Sequence, residues 1–267
     1  MTMKYAYSLS LLVIFCSCQS QGPEIEMDAN PWIELDTEPE SDYSLSANLG
    51  KSIAIMGGSI SCKPESEVCK LYWCEQLGLQ LTDHGINGAG FSTIEDNPGI
   101  QQEVDWCIRA KDEHDIYLLW ASSNDFTKGD GIIGELSDYS EADGYDSAKL
   151  HTMMGGLNYC YHHIQQYSPE AQILLFTSLP IFNKGKAGYE SRYNDGIGMC
   201  HYVEAEIRWA QSHHIPYLDL FGWCQFTVND YQPYYKPDQI HLNEKGYKLL
   251  QRVTTEFLAY PDRPITR

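Results

Sequence analysis

Basic residues are scarce in this sequence: 18 lysines and arginines stand against 37 aspartates and glutamates, and the formal net charge at pH 7 is −19. A surface this acidic repels the phosphates of DNA and RNA, which proteins bind mainly through lysine and arginine. We therefore expect no nucleic-acid partner. Neutral sugars, acyl esters and cationic groups remain compatible with the charge.

The start of the chain lacks an apolar run long enough to span a bilayer, which takes about 20 residues. Residues 7–15 form a shorter apolar run after a basic end at residues 1–4, as in a secretory signal peptide. The run ends in Phe15-Cys16-Ser17-Cys18, which resembles a bacterial lipobox. We predict a signal peptide over residues 1–17, lipidation of Cys18, and a place in the bacterial cell envelope, periplasmic or surface-exposed, with membrane contact only through the lipid anchor. An ordinary cleaved signal peptide with incidental cysteines is the alternative.

Signatures of metals and nucleotide cofactors are also missing. Of nine cysteines, the seven beyond Cys18 include no Cys-x-x-Cys pair and no Cys/His cluster at zinc spacing, so we predict scattered buried thiols and no metal site. The glycines of residues 129–134 match a dinucleotide fingerprint, but they do not follow a predicted strand. We expect no cofactor.

Short apolar runs alternate with segments of helical period from Lys51 onward, which is typical of βαβ units that build a parallel sheet. The pattern predicts an α/β domain over residues 49–267, preceded by a flexible acidic tether over residues 18–48. The predicted strands are residues 52–56, 79–83, 115–121, 172–178 and 215–220. The predicted helices are residues 67–77, 101–110, 149–167, 198–212 and 244–258.

Loops after predicted strands carry candidate catalytic groups, because ligands of parallel sheets bind beyond the carboxyl ends of the strands. Ser59 follows the first strand on a Gly-Gly turn, where its hydroxyl can act as a nucleophile. A serine needs a base, and the base needs a carboxylate, roles that His241 and Asp238 can fill. Only His241 among the nine histidines has an aspartate three residues before it. A plain turn remains the alternative for each segment.

Two further loops can supply hydrogen-bond donors for an oxyanion, one with Gly88 and Gly90 after the second strand and one with Asn124 after the third. In this order, the Ser, Gly, Asn and Asp-x-x-His segments resemble the SGNH, or GDSL-like, hydrolase family over about residues 51–258. The resemblance implies a three-layer flavodoxin-like fold with a five-stranded parallel sheet. It implies a catalytic triad of Ser59, Asp238 and His241.

The same resemblance implies an oxyanion hole formed by the Ser59 backbone N–H, Gly88 and Asn124, with Gly90 as the alternative to Gly88. The chain departs from the family pattern at two positions. Gly58 stands where an aspartate usually precedes the nucleophile, and Ser122 stands where a glycine is common two residues before the asparagine.

The function implied is that of a serine esterase that hydrolyses a small-molecule or glycan ester through an acyl-enzyme. An acetylated carbohydrate is the preferred substrate. A contrasting hypothesis is a non-catalytic glycan-binding envelope lipoprotein that retains the fold, motivated by Gly58 and by the tyrosines Tyr231, Tyr234 and Tyr235, which could form a substrate wall.

Overall fold

A five-stranded parallel sheet is the centre of the computed structural model, which describes residues 42–93, 99–128, 132–183, 192–193 and 197–263. Its strands are β1 (Ser52–Gly57), β2 (Gln80–Asp83), β3 (Ile116–Trp120), β4 (Gln172–Phe176) and β7 (Tyr217–Leu218), while β5 (Arg192–Tyr193) and β6 (Ile197–Gly198) form a separate antiparallel pair. The strand order in the parallel sheet is β2-β1-β3-β4-β7. The predicted α/β class and parallel sheet are confirmed.

All five predicted helices are present in the predicted order, with small shifts at their ends, and three short helices of four or five residues were not predicted. The helices are α1 (Ser59–Cys62), α2 (Glu67–Leu77), α3 (Gly99–Ala110), α4 (Asn124–Lys128), α5 (Met153–Tyr167), α6 (Met199–Ser212), α7 (Leu220–Cys224) and α8 (Glu244–Ala259). The helix expected from residue 149 begins later, because the side chain of Thr152 accepts a hydrogen bond from Gly155 N and caps it. Asn243 caps α8 in the same way, as predicted.

Successive side chains along a strand point to opposite faces of the sheet, so the apolar side chains pack against two layers of helices. Ile53, Ile55 and Trp120 face one layer, which contains α2 and α8. Ala54 and Met56 face the other layer, which contains α3, α5 and α6. Because both faces of the sheet are covered, the central strand β3 is buried throughout and β1 and β4 are buried beyond their first residues, whereas the edge strand β2 is partly exposed.

The strand order reverses direction at β1, since the chain moves outward to β2 and then crosses to β3 on the opposite side. At such a switch point the loops after neighbouring strands diverge and leave a crevice beyond their carboxyl ends. The loops that follow β1 and β3 begin with Gly58-Ser59 and Ala121-Ser122. The fold therefore brings the predicted serine and asparagine segments to the same edge of the sheet.

Packed structure begins before the predicted domain boundary at residue 49. Tyr43 is buried, Ser46 Oγ donates to Ala259 O at 2.8 Å, and Asn48 Nδ2 donates to Leu258 O at 2.7 Å. Residues 42–48, assigned from composition to the tether, thus lie against the end of α8. The acidic residues of the predicted tether lie almost entirely before residue 42, so the composition of the whole stretch hid the few buried side chains that fix residues 42–48.

The predicted signal peptide and Cys18 lie outside the described residues. Within the described part of the chain, no helix combines the length and apolar character needed to cross a membrane. The seven cysteines from Cys62 to Cys224 are all described and all have free thiols. Four of them are buried, in keeping with the prediction of scattered structural thiols.

Candidate active site

Three side chains from the two ends of the domain form a continuous hydrogen-bonded chain. Ser59 Oγ lies 2.7 Å from His241 Nε2, although the two residues are 182 positions apart. His241 Nδ1 lies 2.7 Å from Asp238 Oδ2. When the ring donates its Nδ1–H to the carboxylate, Nε2 is left as the acceptor for the serine hydroxyl. The predicted triad residues therefore meet within proton-transfer distance.

The turn from Asp238 to His241 is shaped by its own carboxylate. Asp238 Oδ1 accepts hydrogen bonds from Ile240 N at 2.9 Å and His241 N at 3.0 Å, which leaves Oδ2 for the imidazole. Burial alone would raise the pKa of Asp238, but the hydrogen bonds from the backbone and ring of His241 outweigh it and hold this pKa below its ordinary value. The carboxylate is therefore ionised at neutral pH and can orient the ring.

Neighbouring segments fix the position of this turn. Lys236 N donates to His241 O at 2.8 Å, and Phe182 N donates to Gln239 O at 2.8 Å. Lys236 Nζ also pairs with Glu65 at 2.5 Å. Because Glu65 lies just beyond α1, this ion pair ties the histidine turn to the segment that follows the serine.

The turn that carries Ser59 is held from both layers of the molecule. Gly57 N donates to Glu103 Oε2 at 2.6 Å, and Ile86 N donates to Glu103 Oε1 at 3.2 Å. From the opposite layer, the hydroxyl of Tyr247 donates to the carbonyl of the residue after Ser59 at 2.6 Å. Burial raises the pKa of Glu103 well above its ordinary value.

The two candidate glycines of the second loop have different structural requirements. Gly88 is the third residue of a turn closed by a 3.0 Å hydrogen bond from Ala89 N to Ile86 O, and its φ of +83° fits a type II turn. A side chain at Gly90 would place Cβ 2.8 Å from the carboxylate oxygens of Asp125. Turn conformation therefore favours glycine at position 88, and packing favours it at position 90.

Asn124 begins α4, and its side-chain amide donates to two acceptors. Nδ2 lies 2.9 Å from Ala89 O and 2.9 Å from Ser122 Oγ. Ser122 Oγ in turn donates to Ala89 O at 2.8 Å. An asparagine amide has two N–H groups, so each has an acceptor in this state. The carbonyl of Ala89 is the point where the glycine and asparagine loops meet.

Space, and not backbone conformation, accounts for glycine at position 58. Gly58 has φ −87°, which any residue can adopt. A Cβ at this position would lie 2.6 Å from Ala89 O and 2.9 Å from both Cβ and Oγ of Ser122. The side chain of Ser122 thus occupies the space next to the residue that precedes the serine.

Two buried carboxylates support the site, and the sequence analysis assigned a role to neither. Asp125 accepts three hydrogen bonds of 2.7–2.9 Å from Phe91 and Ser92. Glu103 joins the first two loops as described above. The signal for Asp125 was its position directly after Asn124, in the segment that follows the third predicted strand. The signal for Glu103 was its position on the same apolar stripe of α3 as Ile100.

The tyrosines expected to form a substrate wall are largely packed in the interior. Tyr231 stacks on Phe182 with ring centroids 4.2 Å apart, and Tyr234 stacks on Phe226 at 5.1 Å. A cavity of about 300 Å³ flanks the histidine turn and is lined by Tyr231, Gln232, Tyr235, Lys236, Pro237 and Gln239. A larger cavity of about 740 Å³ lies around β7 and the end of α8, and no triad residue lines it.

Comparison with known proteins agrees with this geometry. Residues 49–249 match the model of the GDSL-like Lipase/Acylhydrolase family. No curated protein matches the chain.

Three solved structures share the fold at low sequence identity. A protein from Lactobacillus plantarum is 18% identical with a TM-score of 0.60, over 78% of this chain and 96% of its own. A possible lipase from Chitinophaga pinensis is 16% identical with a TM-score of 0.55, over 77% and 96%. A lipase/acylhydrolase from Enterococcus faecalis is 14% identical with a TM-score of 0.53, over 81% and 100%.

Proposed function

The chain belongs to the GDSL-like lipase/acylhydrolase family, and we propose that it is a serine esterase that hydrolyses an acyl ester through an acyl-enzyme. The observation that carries this proposal is the unbroken chain of two 2.7 Å contacts that joins Ser59 to Asp238 through His241. This is the arrangement needed to remove a proton from a hydroxyl and hold it on an oriented imidazole.

In the first half-reaction, His241 Nε2 takes the proton of Ser59 as Oγ attacks the ester carbonyl. The ionised Asp238 stabilises the resulting imidazolium through Nδ1–H. The imidazolium then protonates the leaving alcohol, and the acyl group stays on Ser59. In the second half-reaction His241 activates water, which releases the acid and restores the serine. None of these steps needs a metal or an organic cofactor.

The tetrahedral intermediates carry an oxyanion, and the proposed donors are the Ser59 backbone N–H, Gly88 and the amide of Asn124. In the present state both N–H groups of Asn124 have acceptors, Ala89 O and Ser122 Oγ. We infer that one of these bonds is exchanged for a bond to the oxyanion during the reaction. Ser122 is the more replaceable acceptor, because Ala89 O is fixed in the backbone.

The preferred substrate class is a neutral acetylated carbohydrate. The net charge of −19 supports a neutral over a polyanionic substrate. Export, a lipid anchor on Cys18 and residence in the cell envelope, which rest on the N-terminal sequence alone, would place the enzyme among such glycans. Lipid esters and thioesters are the next classes to examine, in a panel that compares acetylated glycans with esters of increasing acyl length.

The decisive experiment is hydrolysis of p-nitrophenyl acetate by the purified protein and its variants. Ser59→Ala and His241→Ala are each expected to lower kcat by at least about 10³-fold, because they remove the nucleophile and its base. The exposed residues Ser147 and His151 provide matched controls, Ser147→Ala and His151→Ala, which should retain activity. Circular dichroism confirms that each variant is folded.

The alternative function, a glycan-binding protein without catalysis, is favoured by one observation: the amide of Asn124 is fully hydrogen-bonded. A fluorophosphonate probe separates the two functions, because it reacts only with an activated serine. Labelling of the wild type that is lost in Ser59→Ala supports the esterase. Absence of labelling together with measurable affinity for glycans would establish the binding protein instead.

A further inference from the structure

A cluster of four residues whose side chains can bind metal ions lies beside the sheet and takes no part in the proposed chemistry. His84 follows β2, Cys107 lies on the last turns of α3, and Asp112 and His114 lie in the connection from α3 to β3. One ligand atom from each residue lies within 4.8 Å of the others. The spacing of these four residues along the sequence does not match a zinc-binding motif, because His84 comes from a separate loop and meets the other three only in the folded chain.

The two distances from Asp112 to the imidazoles suit a tetrahedral ion. Asp112 Oδ2 lies 3.4 Å from His84 Nε2 and 3.1 Å from His114 Nε2. A tetrahedral zinc ion with bonds of about 2.0–2.1 Å to nitrogen and oxygen separates its ligands by roughly 3.3–3.4 Å. The two distances from the carboxylate oxygen to the imidazole nitrogens are therefore already close to the ligand–ligand distances of such a site.

The ring nitrogens in this cluster lack hydrogen-bond partners. Within the described part of the chain, His84 Nε2 and both ring nitrogens of His114 are buried and form no hydrogen bond, although both Nε2 atoms approach Asp112. Buried polar atoms without hydrogen bonds are uncommon and call for an explanation such as an ion. Cys107 is also buried, and its thiol donates to Asp112 O at 2.9 Å.

We propose that His84, Cys107, Asp112 and His114 bind one divalent metal ion, with Zn²⁺ as the best fit. Imidazole, thiolate and carboxylate are the ligand types that bind Zn²⁺, and these four side chains would complete a tetrahedral coordination shell. The two anionic ligands balance the charge of the ion, so the occupied site is neutral overall. The side chain of Asp112 is 40% exposed, which gives the ion a path from solvent.

The pKa shifts of two of the ligands act in opposite directions on metal binding. Burial lowers the pKa of His84 and so favours the neutral ring that binds a metal. Burial raises the pKa of the Cys107 thiol to about 11, so the empty site holds a protonated thiol. Metal binding then breaks the S–H bond, forms the metal–sulfur bond and releases the proton to water.

The test uses Co²⁺ as a spectroscopic probe on the full chain, after treatment with EDTA and removal of the chelator. One equivalent of Co²⁺ is expected to give the visible bands of a tetrahedral ion together with a thiolate-to-cobalt band in the near ultraviolet. Zn²⁺ should then displace Co²⁺ and bleach both signals. A wild-type protein that binds no Co²⁺, or binds it without the thiolate band, would overturn the proposal whatever the variants do.

Variants identify the ligands. Cys107→Ser should abolish the thiolate band, and His84→Gln or His114→Gln should weaken Co²⁺ binding by at least about tenfold. Matched controls away from the cluster are Cys74→Ser and His151→Gln, which should bind Co²⁺ as the wild type does. His241→Ala should also bind normally. Loss of the signal in His241→Ala, with retention in Cys107→Ser, would instead place the ion at the triad.

Discussion

Removal of the Ser122 hydroxyl should affect stability and activity in opposite directions. Ser122→Ala leaves Cβ in place and removes only Oγ, which donates to Ala89 O at 2.8 Å and accepts from Asn124 Nδ2 at 2.9 Å. The substitution therefore deletes one acceptor of the asparagine amide and leaves the second, Ala89 O. One N–H of Asn124 becomes available to an oxyanion.

The magnitudes follow from the burial of these groups. Ser122 and Asn124 are 2% and 9% exposed, and loss of a buried hydrogen bond that leaves its partner unsatisfied costs about 1–3 kcal/mol. The free energy of unfolding should fall by that amount. In the wild type, the hydrogen bond from Asn124 Nδ2 to Ser122 Oγ must break before the amide can bind the oxyanion, which costs about 1 kcal/mol. The variant has no such bond to break. Since 1.4 kcal/mol corresponds to tenfold, kcat/KM should rise by about fivefold.

Urea denaturation and p-nitrophenyl acetate kinetics measure the two effects on the same preparations. Ser123→Ala is the matched control, because the adjacent Ser123 is also buried and no hydrogen bond from its hydroxyl is found among the described residues. Asn124→Ala should lower kcat by about 10²–10³-fold, as expected for an oxyanion donor. A fall in kcat/KM of Ser122→Ala, parallel to that of Asn124→Ala, would refute the reasoning. It would show that Ser122 holds the amide in its active orientation.

Two further predictions concern carboxylates. Asp238→Asn should lower kcat by about 10²-fold, at the mild end for a triad acid, because its side chain is 44% exposed and water can partly replace it; an unchanged kcat in the same esterase assay would contradict its orienting role. Burial raises the pKa of Glu206 to about 8, so the folded state favours its protonated form. The stabilisation that comes from protonation of Glu206 is complete below the ordinary pKa of a glutamate and is lost as pH rises from there toward 8, at roughly 1.4 kcal/mol per pH unit. Glu206→Gln should flatten this part of the urea-measured stability profile, since a glutamine amide can keep both contacts with Ser178; an identical slope in both proteins would contradict the assignment.

The fold was predictable because most of the strands are short, apolar and followed by a helix-length segment, a pattern typical of βαβ units. The triad was predictable because the serine and the Asp-x-x-His segment each lie directly beside a predicted element. Glu103 and His84 were not, because their partners come from other loops and no local spacing reveals them. Contacts of this kind depend on the register of β1 between β2 and β3, which the sequence pattern does not specify.

The two departures from the family pattern are explained by one contact. A side chain at position 58 has no room, because its Cβ would lie 2.6 Å from Ala89 O and 2.9 Å from the side chain of Ser122. Conversely, Ser122 can occupy its place only because position 58 is glycine. The side chain of Ser122 therefore fills the space next to position 58 in which an aspartate side chain would begin. The groups proposed to transfer the proton, Ser59 Oγ and His241 Nε2, remain 2.7 Å apart beside it, so Gly58 alone does not argue against catalysis.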